Sequence, residues 1–242
     1  ATQDPAESAA ATRNLTVGHP RSVPASPART PDAGPDRVAL RLRVAPPTGD
    51  DGPRVRVRER LEVEIGERGV TALLGANGVG KSVLLAAAAG LDAIDQVVVE
   101  WSSPPALVPI LALQYPELQV FEELVSREVT FAARSRGVPE SEAREAARAH
   151  LTALGLEADP FLERRTWTLS TGEKRLVEVV GALMAPACLV LLDEPTAGLD
   201  LARREALAGL VLERARRVPV LVATQDLEWA ASLGARPWTI DG

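Results

Sequence analysis

The stretch GANGVGKS, residues 75–82, constrains the fold of this chain more than any other part of its sequence. Four of its residues match the pattern G-x-x-x-x-G-K-[ST]: Gly75, Gly80, Lys81 and Ser82. The pattern forms a phosphate-binding loop between a strand and a helix, because its glycines let backbone N–H groups point at phosphate oxygens. Apolar runs at 70–75 and 83–91 supply that context. The sequence therefore predicts a strand, a phosphate loop and a helix in succession.

The predicted loop has a defined chemistry. The N-terminal end of the following helix adds positive potential at the same anion. Lys81 is expected to reach the outer phosphates, and the hydroxyl of Ser82 is expected to ligate Mg²⁺. We expect every residue of the loop to contribute to phosphate binding: Gly75, Ala76, Asn77, Gly78, Val79, Gly80, Lys81 and Ser82.

A second motif, LVLLDE at 189–194, places two carboxylates at the end of an apolar strand. Ligands bind at the carboxyl ends of parallel strands. Asp193 is expected to hold Mg²⁺, and Glu194 is expected to polarise the water that attacks a γ-phosphate. A strand that ends in Asp-Glu is by itself equally consistent with a plain strand terminus. The phosphate loop upstream favours the functional interpretation.

A third motif, LSTGEKR at 169–175, has two interpretations. Ser170 and Glu173 form the capping box S-x-x-E that opens a helix, which is a purely structural role. The same capped N-terminus, with Gly172 beside it, is also able to bind a phosphate from outside the subunit.

Predicted strands and helices alternate along most of the chain. The predicted strands cover 38–44, 54–65, 70–75, 97–100, 106–113, 188–194 and 218–223. The predicted helices cover 83–91, most of 118–155, 173–184 and 201–217. The strands from 70 onward are apolar on both faces, which indicates an α/β fold with a parallel sheet covered by helices on both sides. The strand at 54–65 alternates apolar and charged residues, which is typical of antiparallel sheet.

Composition excludes several classes of protein. The net charge is −6 without a long basic block, so nucleic-acid binding by bulk electrostatics is not expected. No apolar run reaches the length of a transmembrane helix, and the N-terminus lacks the pattern of a secretory signal. The single Cys188 allows no disulfide within the chain. Residues 1–36 are rich in Ala, Pro, Ser and Thr, and we predict that they are disordered.

The order of these motifs resembles the ATP-binding cassette (ABC) ATPases over residues 37–242. In that resemblance Gln114 corresponds to the Q-loop, 169–173 to the signature, and 197–200 to the D-loop. It implies a P-loop NTPase fold with a mainly parallel core sheet, a small antiparallel β-subdomain and a helical subdomain at about 116–175. Within the family, a Q-x-P-E-x-Q-x-F pattern resembles energy-coupling-factor-type ATPases: Gln114, Pro116, Glu117, Gln119 and Phe121.

The resemblance implies a transport-coupled ATP hydrolase that uses ATP and Mg²⁺. It would be the ATPase subunit of an importer of a vitamin or metal ion, bound to membrane-embedded subunits at the cytoplasmic face of the membrane. It would form a head-to-tail homodimer or heterodimer, in which Ser170 and Gly172 touch the partner's nucleotide. Gln114 would sense the γ-phosphate through Mg²⁺ or water, and segment 115–121 would either receive a partner helix or pack on its own domain.

Several residues depart from the family pattern. Gln225 stands where the family places a histidine that contacts the γ-phosphate. Glutamine can donate a hydrogen bond, but it carries no charge and relays no proton, so we expect slower turnover. Thr171 and Glu173 replace a glycine and a glutamine of the signature, and no aromatic residue precedes Trp101 to stack on adenine. The span from Lys81 to Gln114 is short for the family, which predicts a trimmed antiparallel β-subdomain.

Two alternatives to the importer ATPase stay open. One is a divergent nucleotide-binding subunit with low turnover, half of an asymmetric heterodimer. The other is a soluble ABC ATPase that acts outside transport.

Overall fold

A computed structural model describes residues 37–47 and 54–240 of the chain. Its strands are β1 Val38–Val44, β2 Leu61–Gly66, β3 Val70–Leu74, β4 Val97–Trp101, β5 Ile110–Ala112, β6 Val190–Asp193, β7 Val220–Thr224 and β8 Arg236–Thr239. Its α-helices are α1 Lys81–Ala89, α2 Val125–Ser135, α3 Glu140–Ala153, α4 Ala158–Leu162, α5 Thr171–Met184, α6 Leu201–Ala215 and α7 Leu227–Ser232. The predicted disorder of 1–36 lies outside the described residues.

Five strands form a parallel sheet in the order β5-β6-β7-β3-β8, as the sequence predicts for an α/β fold. Successive side chains of a strand point to opposite faces. Val190 and Val222 pack in a core with helices α5 and α6. Leu191 and Ala223 pack in a second core with α1 and strand β1. The central strands are therefore buried on both faces.

Three strands form an antiparallel sheet in the order β2-β1-β4. Leu40 and Leu42 of β1 are buried, whereas Arg41 and Arg43 point outward to acidic residues of the neighbouring strands. Arg41 contacts Glu64 at 2.9 Å, and Arg43 contacts the carboxylate of strand β4 at 2.8 Å. The small antiparallel subdomain implied by the family resemblance is thus present.

The predicted continuous strand over 54–65 is wrong in its first half, because β2 begins only at Leu61. The alternation of apolar and charged residues led to the wrong prediction because Val55 and Val57 are buried without pairing as a strand. The amide of Gln96 holds this segment instead, accepting from the N–H of Val55 and donating to its carbonyl. Arg56, the residue after Val55, donates its backbone N–H to Val79 O of the phosphate loop.

Other element boundaries also differ from the sequence expectations. The strand predicted at 106–113 shortens to β5, because residues 106–108 are exposed and residues 106–109 make no strand pairing. Strand β8 was not predicted, since Pro237 interrupts its pattern, and it lies at an edge where proline is tolerated. In the described part of the chain, no helix combines the length and the apolar character needed to cross a bilayer.

Helices α2, α3 and α4 pack with α5 on the side of the parallel sheet away from the antiparallel strands. Within this group, Glu128 of α2 is 6% exposed and accepts the N–H groups of Phe121 and Glu122 at 2.9 and 2.7 Å. Glu178 of α5 hydrogen bonds to Glu128. Burial, together with the charge and hydrogen bond of Glu128, raises the pKa of Glu178 from 4.5 to about 8.

This carboxyl pair predicts that the chain loses stability as the pH rises from 4.5 to about 8. The folded state keeps the Glu178 proton that the unfolded chain releases near pH 4.5, so stability falls as pH rises from 4.5 to about 8. Glu178→Gln keeps a hydrogen-bond donor without titrating, so its thermal midpoint relative to wild type should rise over that interval. Thermal melts at intervals of pH measure this. The exposed Glu205→Gln is the control, and a Glu178→Gln difference that is independent of pH would contradict the assignment.

Candidate active site

A cavity of about 410 Å³ opens at the carboxyl ends of the parallel strands. Three predicted motifs meet in it: the phosphate loop after β3, Gln114 after β5, and the acidic pair that ends β6. Its lining residues are Arg54, Asn77, Gly78, Gly80, Lys81, Ser82, Val83, Gln114, Tyr115, Asp193 and Glu194. The structure thus brings together residues that lie far apart in the sequence.

Gly75, Ala76 and Val79 do not line the cavity but shape the loop around it. The carbonyls of Gly75 and Ala76 accept hydrogen bonds from Lys81 Nζ at 2.8 and 3.2 Å. Val79 is buried in the core, and its carbonyl receives the N–H of Arg56. These three residues therefore act through the shape of the loop.

Gly80 is the tightest position of the loop. Its φ is 101°, and a Cβ there would lie 2.4 Å from Arg54 O and 2.5 Å from Val55 Cα. Gly78 also has a positive φ, of 79°, but a Cβ there would meet nothing within 4 Å. Only glycine fits at Gly80 because both its conformation and the neighbouring backbone exclude a side chain.

The ammonium of Lys81 is buried between the loop and the acidic pair. Its side chain is 6% exposed, and its Nζ lies 3.5 Å from Glu194 Oε1. A buried ammonium requires such partners, because desolvation of an unpaired charge is costly. Lys81 therefore links the phosphate loop to β6.

Asp193 is buried beside the Ser82 hydroxyl, with which it hydrogen bonds. Burial raises the pKa of Asp193, and Glu194 adds to this, whereas Ser82, Lys81 and Arg175 oppose it. Among the described residues Asp193 Oδ1 has no hydrogen-bond partner. An orphaned carboxylate oxygen beside a hydroxyl suits a hard cation such as Mg²⁺.

The donor set fits Mg²⁺ held jointly with phosphate oxygens. Asp193, Ser82 and Gln114 offer a carboxylate, a hydroxyl and an amide oxygen in one cavity. No cluster of three His, Cys, Asp or Glu side chains able to hold a metal occurs within 37–47 and 54–240. Mg²⁺ commonly relies on one or two carboxylates plus substrate phosphates, so the set is sufficient.

Glu194 is held from four directions. It is 7% exposed, and its φ of 46° is the left-handed conformation, unusual for a residue with a side chain. Its N–H donates to Ala223 O at 2.8 Å, and Thr224 Oγ1 donates to its Oε2 at 3.1 Å. Its carbonyl accepts from Arg175 Nη1 at 2.9 Å and from the N–H of Ala197 at 3.2 Å.

The sequence patterns indicated no contact with this site for Arg175 or Thr224, and Gln119 entered only as part of the Q-x-P-E-x-Q-x-F pattern. Arg175 is buried and Thr224 fully so, and each contacts Glu194. The amide of Gln119 accepts the N–H of Leu113 at 2.7 Å and donates to Leu111 O at 2.8 Å, which fixes the loop before Gln114. A polar residue at the end of a central strand was the available signal for Thr224.

The predicted capping box at Ser170 is present. The N–H of Glu173 donates to Ser170 Oγ at 3.2 Å, and the N–H of Ser170 donates to Glu173 Oε2 at 2.8 Å. Arg164 pairs with the same carboxylate at 2.5 Å. Burial raises the pKa of Glu173, but the hydrogen bonds from Arg164 and Ser170 outweigh this and leave it lowered. Glu173 is thus engaged within its own subunit.

Ser170, Gly172 and Gln225 lie outside the cavity lining. Ser170 is exposed, and a Cβ on Gly172 would lie 3.3 Å from Gly198 O, so α5 begins against segment 197–200. Gln225 is exposed at the end of β7. The following Asp226 caps α7 and accepts from Arg204 at 2.9 Å, which fixes the backbone beside Gln225.

Three comparisons with known proteins agree with this geometry. The profile of the ABC transporter family matches residues 59–197. The energy-coupling factor transporter ATP-binding protein EcfA2 of Lactococcus lactis is 36% identical over 58% of this chain and 53% of its own length. The cobalt import ATP-binding protein CbiO of Salmonella typhimurium is 33% identical over 71% of this chain and 67% of its own.

The solved structure of cbiO1 from Clostridium perfringens, part of the ABC transporter complex cbiONQ, is also similar. It superposes with a TM-score of 0.58 at 27% identity, covering 79% of this chain and 80% of that one. The alignments to the EcfA2 relatives span between 53% and 65% of the length of those proteins.

The two loop glycines give a matched test of the site's architecture. Alanine at either position pays the cost of a positive φ, about 1–2 kcal/mol. Gly80→Ala adds a backbone collision that Gly78→Ala lacks, so it should lower the free energy of unfolding by a further margin of about 2 kcal/mol or more. Urea unfolding of both variants measures the difference. Equal losses would show that the contact of Gly80 with 54–55 is not tight in solution.

Proposed function

This chain belongs to the ABC transporter family and is related to its energy-coupling-factor-type ATP-binding subunits, and from that premise we propose that it binds and hydrolyses ATP to drive an importer of a vitamin or a metal ion. The observation that carries the proposal is the convergence of the phosphate loop, Gln114, Asp193 and Glu194 on one cavity. Relatives named for energy coupling and cobalt import support the substrate class.

The residues divide the work of hydrolysis. The N–H groups of the loop and the ammonium of Lys81 bind the phosphates of ATP. Ser82, Asp193 and Gln114 would hold Mg²⁺, which when bound neutralises charge on the phosphate oxygens. Glu194 accepts a hydrogen bond from the attacking water, and Thr224 holds its other carboxylate oxygen in place. No aromatic residue precedes Trp101 to stack on adenine. Arg54 and Tyr115 line the cavity instead.

A second copy or a related ATPase would complete the site. In this proposal Ser170 and Gly172, at the start of α5, contact the nucleotide of the opposing subunit. The hydroxyl of Ser170 is exposed and the helix N-terminus adds positive potential, so both can face an external phosphate. The Glu173 carboxylate is neutralised by Arg164, which limits its repulsion of that phosphate.

An exposed apolar patch beside Gln114 supports docking of a membrane-embedded partner. It consists of Tyr115, Leu118, Phe121 and Phe131, which are 60%, 74%, 64% and 40% exposed. The rings of Phe121 and Phe131 pack edge to face at 4.6 Å between centroids. Apolar side chains presented together on a stable scaffold suit an amphipathic partner helix. We place the chain at the cytoplasmic face of the membrane on this basis.

Co-isolation tests this function directly. A tagged full chain expressed in its native cells should remain with membranes and co-purify with integral membrane subunits, identified by mass. Leu118→Glu should abolish co-purification, because it puts a charge in the apolar patch. Val108→Glu is the matched control, since Val108 is 64% exposed before β5, at the opposite end of that strand. A wild-type chain that purifies without membrane subunits would favour the soluble, non-transport alternative.

A divergent subunit with low turnover is the second candidate, and Gln225 is the observation that favours it. The amide is exposed at the strand end, where the family places a histidine. Replacement of a charge-assisted hydrogen bond by a neutral one costs about 1 kcal/mol, or roughly fivefold in rate. Thr171 adds a side chain where close approach of a partner's nucleotide is wanted.

Restoring the imidazole tests the impaired-site hypothesis. Gln225→His should raise single-turnover hydrolysis about fivefold and introduce a pH dependence near neutrality. Glu228→His, which adds an exposed imidazole on α7 nearby, should leave the rate unchanged. Hydrolysis by the wild type at ordinary transporter rates, without gain in Gln225→His, would reject the hypothesis.

A further inference from the structure

Arg175 is a buried cation whose partners are backbone carbonyls. It lies in the second turn of α5 and is 6% exposed. Among the described residues, no carboxylate lies within 4.0 Å of its guanidinium, and its Nε has no hydrogen-bond partner. Burying an arginine without a carboxylate partner is costly. We therefore expect the two hydrogen bonds that its guanidinium does make to fix the position of functional groups.

Both bonds reach segments that line the cavity. Nη1 donates to Glu194 O at 2.9 Å, 19 residues away in sequence, and Nη2 donates to Gln114 O at 2.6 Å, 61 residues away. The planar guanidinium offers its donors in a fixed fork, so it sets the distance between the two carbonyls. One side chain therefore sets the separation between Glu194, which is expected to polarise water, and Gln114, which is expected to sense the γ-phosphate.

Glu194 is the residue that most needs such a restraint. It alone among the described non-glycine residues has a positive φ. Residues held in that conformation persist only where the surroundings restrain them. The N–H of Ala197 also bonds the Glu194 carbonyl, but at 3.2 Å it closes a local turn and does not reach the rest of the fold.

Gln114 is restrained from two sides. Gln119 fixes the backbone immediately before it through Leu113 N and Leu111 O. Arg175 fixes the carbonyl of Gln114 itself. The segment after it, from Tyr115, carries the exposed apolar patch.

We infer that Arg175 is a positioning residue that couples helix α5 to the backbones of Glu194 and Gln114. The inference rests on the proposed ATPase function for its consequence in catalysis. The same helix begins at Ser170 and Gly172, which face the opposing subunit in that proposal. Through Arg175 the helix that begins at this surface is therefore linked to the backbone of the water-polarising residue and to the Gln114 loop.

The test compares Arg175→Met with Arg175→Lys in the full chain. Amide hydrogen exchange should become roughly tenfold faster at 114–119 and 194–197 in Arg175→Met, the size expected when a hydrogen bond to a charged group is lost. The turnover number for ATP should fall roughly 10- to 100-fold, as for residues that support metal ligands, with KM for ATP changed less than about twofold. Arg175→Lys keeps the positive charge but lacks the planar, forked arrangement of donors. Its exchange rates and its turnover number should therefore lie between those of the wild type and Arg175→Met.

Arg214→Met is the matched control. Arg214 is a partly buried arginine of α6 that donates to a backbone carbonyl, Ala185 O, at 2.7 Å, and it lies outside the cavity lining. It should lower the thermal midpoint without changing exchange at 114–119 or 194–197.

Three outcomes separate the hypotheses. Unchanged exchange at both segments in Arg175→Met overturns the positioning role. Faster exchange everywhere, including β1, with the same effect in Arg214→Met, also overturns it, because the role is then purely structural. Faster exchange confined to the two segments, in a chain whose wild type hydrolyses no ATP, supports the positioning role and contradicts the proposed function instead.

Discussion

The site depends on the ammonium of Lys81, buried between two loop carbonyls and Glu194. Asp193 and Glu194 are both buried, and two neighbouring carboxylates repel each other unless positive charge lies nearby. Lys81 of α1 and Arg175 of α5 supply that positive charge. Burial lowers the pKa of Arg175, while Asp193, Glu117 and Glu194 raise it. The two cations make it possible to keep carboxylates in a cavity built for phosphate.

The two-faced sheet explains how these groups meet. Strands β3 and β6 are separated by β7, and all three are buried along their length. Their parallel direction sends the phosphate loop, the acidic pair and Thr224 to the same edge. Helix α1 packs on one face and α5 on the other, so the edge receives one helix N-terminus from the loop and one buried arginine from α5. The packing of α1 and α5 on the two faces of the sheet thereby determines which functional groups meet at this edge.

Short-range patterns in the sequence made part of the candidate site predictable. The phosphate loop follows a fixed spacing, and the capping box at Ser170 needs only residues three apart. The roles of Arg175 and Thr224 rest on contacts 61 and 30 residues apart, which no local pattern encodes. The error at 54–60 has a similar origin, because alternation is equally compatible with an extended segment held by the side chain of Gln96.

The most direct measurement is equilibrium titration of the full chain with ATP and Mg²⁺, beside Lys81→Ala. We expect saturable binding below millimolar ATP, weakened at least about tenfold in Lys81→Ala because the charge-assisted contact to phosphate is lost. A thermal melt of the variant establishes that it is folded, since removal of the cation leaves Glu194 without its partner. Failure of the wild type to bind at millimolar ATP, or identical curves for the two proteins, would contradict the account.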